Sequence, residues 1–174
     1  DKMIISLKKA AAKQGGLYRQ DVMIYEMLAR GDWKRPMYMS VTLGSDNYAG
    51  LDNYLVLEGL AYRVTPFNYG QMGMIDSNLM YNNLMKRFKY GNVAQKGIYM
   101  DETTGRMCET HRRMFMMLAD NLNRKGEKAK ALEVLKKCKE VFPDYTVPYD
   151  DDDSQLAMLW MFAGNKKEAA RVAK

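Results

Sequence analysis

The sequence is poor in the residues that build metal centres, disulfide frameworks and histidine-dependent active sites. It holds two cysteines and one histidine in 174 residues. A histidine metal cluster or a Ser/His/Asp triad would have to use His111, which stands mid-helix without suitable neighbours and reads as a helix-surface residue. Cys108 and Cys138 fall in helix-patterned stretches and read as buried thiols rather than as a disulfide. No run approaches the roughly 18 consecutive apolar residues of a membrane span, and no basic-then-apolar leader opens the chain. The chain as given therefore reads as soluble; starting at Asp1, it reads as a processed chain or an excised piece. The net charge of +6 lacks an arginine-rich stripe, its basic residues being scattered among acids, so no nucleic-acid partner is expected. Gly70 and Gly73 lack the strand-turn-helix setting and the lysine of a phosphate loop. The run Asp150 to Asp153 lacks the glycine and distal glutamate of a calcium loop and reads as a cap for a helix starting near Ser154. These absences leave no residue expected to do catalysis, hold a cofactor or bind a metal.

What is present is a core-forming sequence, 47% hydrophobic, with 16 methionines that read mainly as core filler. After a short strand at Met3 to Leu7, residues 18 to 30 place Val22, Tyr25, Leu28 and Ala29 on one helical face, with Gly31 as a left-handed stop. From Pro36 the period changes to two: Met37, Met39, Val41 and Leu43 alternate with Tyr38, Ser40 and Thr42, the pattern of a half-buried strand. A short helix over Tyr48 to Leu57 and a strand over Leu60, Tyr62 and Val64 complete a strand-helix-strand unit, whose pairing is left parallel or antiparallel. Thr65 to Gly73 reads as a loop. Asp76 then opens a helix carrying Leu79, Met80, Asn83, Leu84 and Phe88, which Gly91 ends, and 97 to 100 reads as an edge strand. From Asp101 the pattern becomes purely helical, with no proline until Pro143. The expected fold class is α+β, mostly α, with a mixed region over 1–100 capping helical hairpins over 101–174.

The most informative stretch begins at Arg112. Phe115, Leu118, Ala119, Leu122, Gly126, Ala131, Leu135, Cys138 and Pro143 are spaced as two close-packed helices joined at Asn123 to Glu127 require: small side chains opposite bulky ones, then a proline stop. The spacing resembles the tetratricopeptide repeat, one unit covering about 112–145. Thirty-eight positions on, Leu156, Ala157, Trp160, Gly164 and Ala169 repeat the pattern in a partial unit over about 150–174. The lysine-rich stretch from Arg124 to Lys139 reads as a solvated face.

The segments Gly31-Asp32-Trp33-Lys34-Arg35-Pro36-Met37-Tyr38 and Leu57-Glu58-Gly59-Leu60-Ala61-Tyr62-Arg63 resemble the soluble C-terminal region of a Bacteroidetes membrane-protein family. That family's multi-spanning half is similar to protein O-mannosyltransferases; Met37 and Met39 stand where isoleucine and phenylalanine are expected. The resemblance implies a non-catalytic interaction or scaffolding domain of a membrane-anchored, glycosyltransferase-like parent, on the periplasmic side of the inner membrane. The partner is expected to be a protein, a peptide or the rest of the parent chain, with the membrane reached only through parent segments. Trp33, Arg35 and Tyr38 form a candidate patch for a glycan or acceptor; Arg113, Met117 and Asn121 are candidates for a hairpin groove. A glycan- or acceptor-binding accessory domain and a free-standing repeat adaptor are the competing readings, the second being an interaction module without a transferase parent.

Overall fold

The computed structural model describes residues 3–7, 15–71, 73–149 and 154–173. The fold is α+β and about half helical, with one small sheet. It comprises two compact units, Asp1–Asp76 and Ser77–Lys174. The composition change at residue 101 marks the start of the long helix inside the second unit.

The first unit opens with α1 (Arg19–Arg30), followed by a four-stranded sheet: β1 (Tyr38–Ser40), β2 (Leu55–Leu57), β3 (Ala61–Val64) and β4 (Met74–Ile75). The strand order is β1-β3-β2-β4, with β3 antiparallel to both neighbours and β4 parallel to β2. The period-two pattern holds, since Met39 is buried and Met37, Val41 and Leu43 are half-buried while Tyr38, Ser40 and Thr42 face solvent. Pairing between β1 and β3 is antiparallel, with Tyr38 opposite Arg63.

Several local expectations are corrected. Met3 to Ser6 is not a strand. The inward face of α1 is Asp21, Ile24, Tyr25 and Leu28, while Val22 and Ala29 are exposed, because the Asp21 carboxylate turns in to accept the Tyr18 backbone N–H at 2.9 Å. Gly31 is right-handed (φ −74°). Its role is close approach, since a Cβ there would lie 2.8 Å from the Met27 carbonyl oxygen. The left-handed turn falls instead on Asp32 and Trp33, at φ 46° and 57°. The expected helix over 48–57 is replaced by 3-10 turns at Ser45–Asn47 and Asp52–Tyr54 and by β2. Positive φ at Ala49 and Gly50 breaks helical propagation, and the Tyr25 hydroxyl donates to the Ala49 carbonyl at 2.7 Å. Leu51, Tyr54 and Leu55 are nevertheless buried.

The second unit contains α2 (Ser77–Asn82), a π-turn over Asn83–Arg87, α3 (Glu102–Arg124), α4 (Lys128–Val141), α5 (Ser154–Phe162) and α6 (Lys166–Val172). Residues 97–100 are irregular, with Tyr99 88% exposed, so no edge strand forms there. Asp101 caps α3 by accepting the Thr104 N–H at 3.0 Å. α3 packs on α4 and α5 on α6, and α5 also packs on α3. Between α3 and α4 the chain turns at Gly126, whose φ of +80° a side chain would oppose. Phe115, Leu118, Ala119, Leu122, Ala131, Leu135, Cys138 and Pro143 are all buried. Both cysteines are free and buried, as their helical setting implied, and burial pushes the Cys108 thiol up. Asp150 to Asp153 lies outside the described residues.

Candidate functional site

Helix α4, the segment after it and the α5–α6 hairpin enclose an open cleft of about 450 Å³. Lys136, Lys139 and Glu140 line it from α4, Pro143, Asp144 and Tyr145 from the connecting segment, and Trp160, Asn165 and Glu168 from the second hairpin. Trp160 is 2% exposed and makes an apolar floor. Below it, Trp160 and Leu156 share with Arg112, Leu135, Cys138, Phe142 and Tyr149 a crevice with no room for water.

The connecting segment buries Phe142, Pro143 and Val147, and polar contacts add to that packing. The Arg112 guanidinium, on a residue 1% exposed, donates from Nη1 to the Pro148 carbonyl at 3.1 Å and from Nη2 to the carbonyls of Val147 and, at 3.5 Å, Phe142. Its Cζ lies 4.9 Å from the centre of the Tyr149 ring. Tyr145 is held from outside: its hydroxyl donates to the Ala94 carbonyl at 2.7 Å, and Lys96 Nζ sits 5.5 Å from its ring centre. An aromatic side chain so anchored loses little rotational freedom when a ligand packs on it.

The far wall is ionic. Lys139 Nζ and Arg171 Nε approach Glu168 Oε2 at 2.7 and 3.0 Å, Arg171 Nη1 reaches Asp144 Oδ2 at 2.5 Å, and Arg171 Nη2 donates to the Tyr149 hydroxyl at 3.3 Å. The Lys139 hydrogen bond, aided by Arg171, holds the Glu168 carboxyl below the usual glutamate range. At Asp144 burial pushes upward, but the Arg171 hydrogen bond and charge outweigh it and the carboxyl lies below its usual range.

The sequence-derived candidates are distributed differently. Trp33, 43% exposed, and Arg35, also exposed, lie in the turn after α1, and among the described residues they make no ring or cation–π contact with Tyr38. The Tyr38 hydroxyl instead donates to Glu58 Oε2 at 3.1 Å, while Arg63 Nε pairs with the other Glu58 oxygen. Glu58 is 5% exposed, so this trio satisfies a buried carboxylate. Burial first, and the Glu58 charge second, push the Tyr38 hydroxyl up. Arg113, Met117 and Asn121 do share one face of α3, Arg113 exposed and the other two half-buried. Asn121 is not an open groove residue: its Oδ1 accepts from Ser77 Oγ at 2.6 Å, and Lys125 Nζ donates to the same Ser77 oxygen at 2.6 Å.

His111 also departs from expectation. It is half-buried beside Tyr90 and Phe142, with ring centres 6.3 and 5.8 Å away, and its Nδ1 donates to the Met107 carbonyl at 2.7 Å. Among the described residues no group of three or more His, Cys, Asp or Glu side chains is placed to hold a metal ion. No helix of the described residues is long and apolar enough to cross a membrane.

The chain is thus an α+β protein with a cleft among its described residues that is lined by aromatic, amide and paired charged groups. Residues 1–79 match the family model for TMEM260-associated domain 2, which spans the first unit and enters α2. No curated protein and no solved structure matches the chain.

Proposed function

We propose that this chain is a non-catalytic accessory domain that binds a polypeptide segment in the cleft between its α3–α4 and α5–α6 hairpins. The observation that carries the proposal is the cleft itself. The exposed Tyr145 ring supplies apolar surface above a floor of largely buried Trp160 and Pro143, and lysine, carboxylate and amide groups at the rim suit the alternating polarity of a peptide. The hairpins are read as tetratricopeptide-like, a reading supported by burial of all eight pattern positions between Phe115 and Pro143.

The parent is proposed to be a larger, membrane-anchored, glycosyltransferase-like protein whose accessory domain lies on the periplasmic side. The match over residues 1–79 to a TMEM260-associated domain supports an accessory domain of a larger protein. A second reading, glycan or acceptor binding at Trp33 and Arg35, draws on the exposure of Trp33 in a left-handed turn.

A photo-crosslinking amino acid at Tyr145 in the parent protein tests the first reading. It is expected to trap a polypeptide, either a distant segment of the same chain or a partner, well above the yield from a control at Thr42. Equal yields at both positions would overturn the cleft as the binding site.

A further inference from the structure

Helix α4 carries five lysines against two glutamates, and the two signs are not mixed evenly around it. Lys128, Leu132, Lys136 and Lys139 stand at i, i+4, i+8 and i+11 and therefore share one face. Lys128 and Lys136 are exposed, and neither has an ion-pair partner among the described residues. The helix's own acids have partners off the stripe: Glu133 accepts from the Tyr81 hydroxyl at 2.7 Å, and Glu140, at the cleft, pairs with Lys137 at 2.8 Å. Lys136 and Lys139 line the cleft, so the stripe runs along α4 into it. The cleft's three carboxylates are already matched, Glu140 by Lys137, Asp144 by Arg171 and Glu168 by Lys139 and Arg171. The uncompensated charge along this track is positive.

We infer that the cleft binds an extended acidic peptide, with carboxylates along the Lys128–Lys136 stripe and an apolar or aromatic side chain lodged between Tyr145 and Trp160. The inference rests on the peptide-binding reading of the cleft and adds the class of peptide. The eight-residue step from Lys128 to Lys136 at about 1.5 Å rise spans roughly 12 Å, which about four extended residues cover. The anchored Tyr145 ring and the buried Trp160 supply the apolar seat, while the lysines steer and set the register. A basic segment would meet repulsion at Lys128 and Lys136.

Fluorescence anisotropy on the whole chain tests this with a labelled ten-residue peptide of alternating glutamate and leucine around one phenylalanine, and with its lysine-for-glutamate counterpart. The acidic peptide is expected to bind, the basic one to bind at least tenfold more weakly, and added salt to weaken the complex. Lys128→Glu with Lys136→Glu is expected to cost the acidic peptide at least tenfold. The charge-matched control Lys86→Glu with Lys89→Glu should change it less than twofold, with circular dichroism checking that both variants fold. Equal affinity for the two peptides, or equal effects of the two variant pairs, would overturn the inference. Loss of binding to phosphatidylglycerol vesicles or to a single-stranded oligonucleotide in the stripe variant, with peptide binding unaffected, would overturn it in favour of those ligands. If the inference fails while the Tyr145 crosslink persists to a neutral or basic segment, the cleft reading stands and only the acidic class falls.

Discussion

Arg112 places a permanent positive charge where only 1% of the residue is exposed, and backbone carbonyls of Phe142, Val147 and Pro148 receive it. Those carbonyls belong to the segment that walls the cleft, so the side chain ties helix α3 to the candidate site without touching a ligand. Arg112→Met fills much of the same volume but strands buried acceptors, and the expected cost is about 3 kcal/mol. Urea denaturation followed by circular dichroism measures it; a loss below about 0.5 kcal/mol would show that the contacts are dispensable. The sequence marks Arg112 only weakly, as a lone cation in line with Phe115, Ala119 and Leu122, an apolar stripe where it needs buried acceptors. Those acceptors lie thirty or more residues away, in a segment without periodicity, and no local reading reaches them. Tyr38 illustrates the opposite limit: its outward position was legible from alternation, but its engagement with Glu58 depends on the antiparallel register with β3.

At the scale of elements, the α3–α4 hairpin rests on close approach at Ala119 and Ala131, both fully buried. Ala131→Leu inserts a branched side chain into that contact, with an expected loss of about 1–3 kcal/mol. A melting temperature unchanged by the substitution would show that the helices have room between them. This hairpin was legible because its helices pack through residues close in sequence. The segment 48–57 was not: three apolar residues at helical spacing satisfy a helix and a pair of 3-10 turns equally, and the long-range Tyr25 contact with Ala49 accompanies the turn.

The second hairpin is tied to the connecting segment and to α4 by Lys139, Glu168, Arg171 and Asp144. Folded-state depression of the Asp144 and Glu168 pKa means that their stabilisation is full above the unfolded values, about 4, and is lost as pH falls through the lower folded ones. Arg171→Leu is therefore expected to lower stability by less than about 1 kcal/mol at neutral pH, because the pairs are partly solvated. It should also flatten the decline below about pH 4. A variant with an unaltered acid limb would show that the network contributes nothing measurable.

For the molecule as a whole, the two compact units carry different information. The first matches TMEM260-associated domain 2, while the second carries the cleft and the lysine stripe. The mostly helical α+β class followed from periodicity and from the composition change at Asp101. The cleft did not, since Tyr145, Trp160 and Glu168 belong to three separate segments whose approach is a tertiary fact. The lysines of α4 were visible as a solvated face, and their direction into a cleft was not.

The central claim, that the cleft receives a polypeptide, is tested most directly by nuclear magnetic resonance. The ¹H–¹⁵N spectrum of the whole chain would be followed while the glutamate-leucine peptide is added. The account predicts shifts concentrated at the Trp160 indole, the Tyr145 and Asn165 amides and the α4 amides near Lys136. Shifts confined to Trp33, Arg35 and Tyr38, or spread evenly over both units, would contradict it.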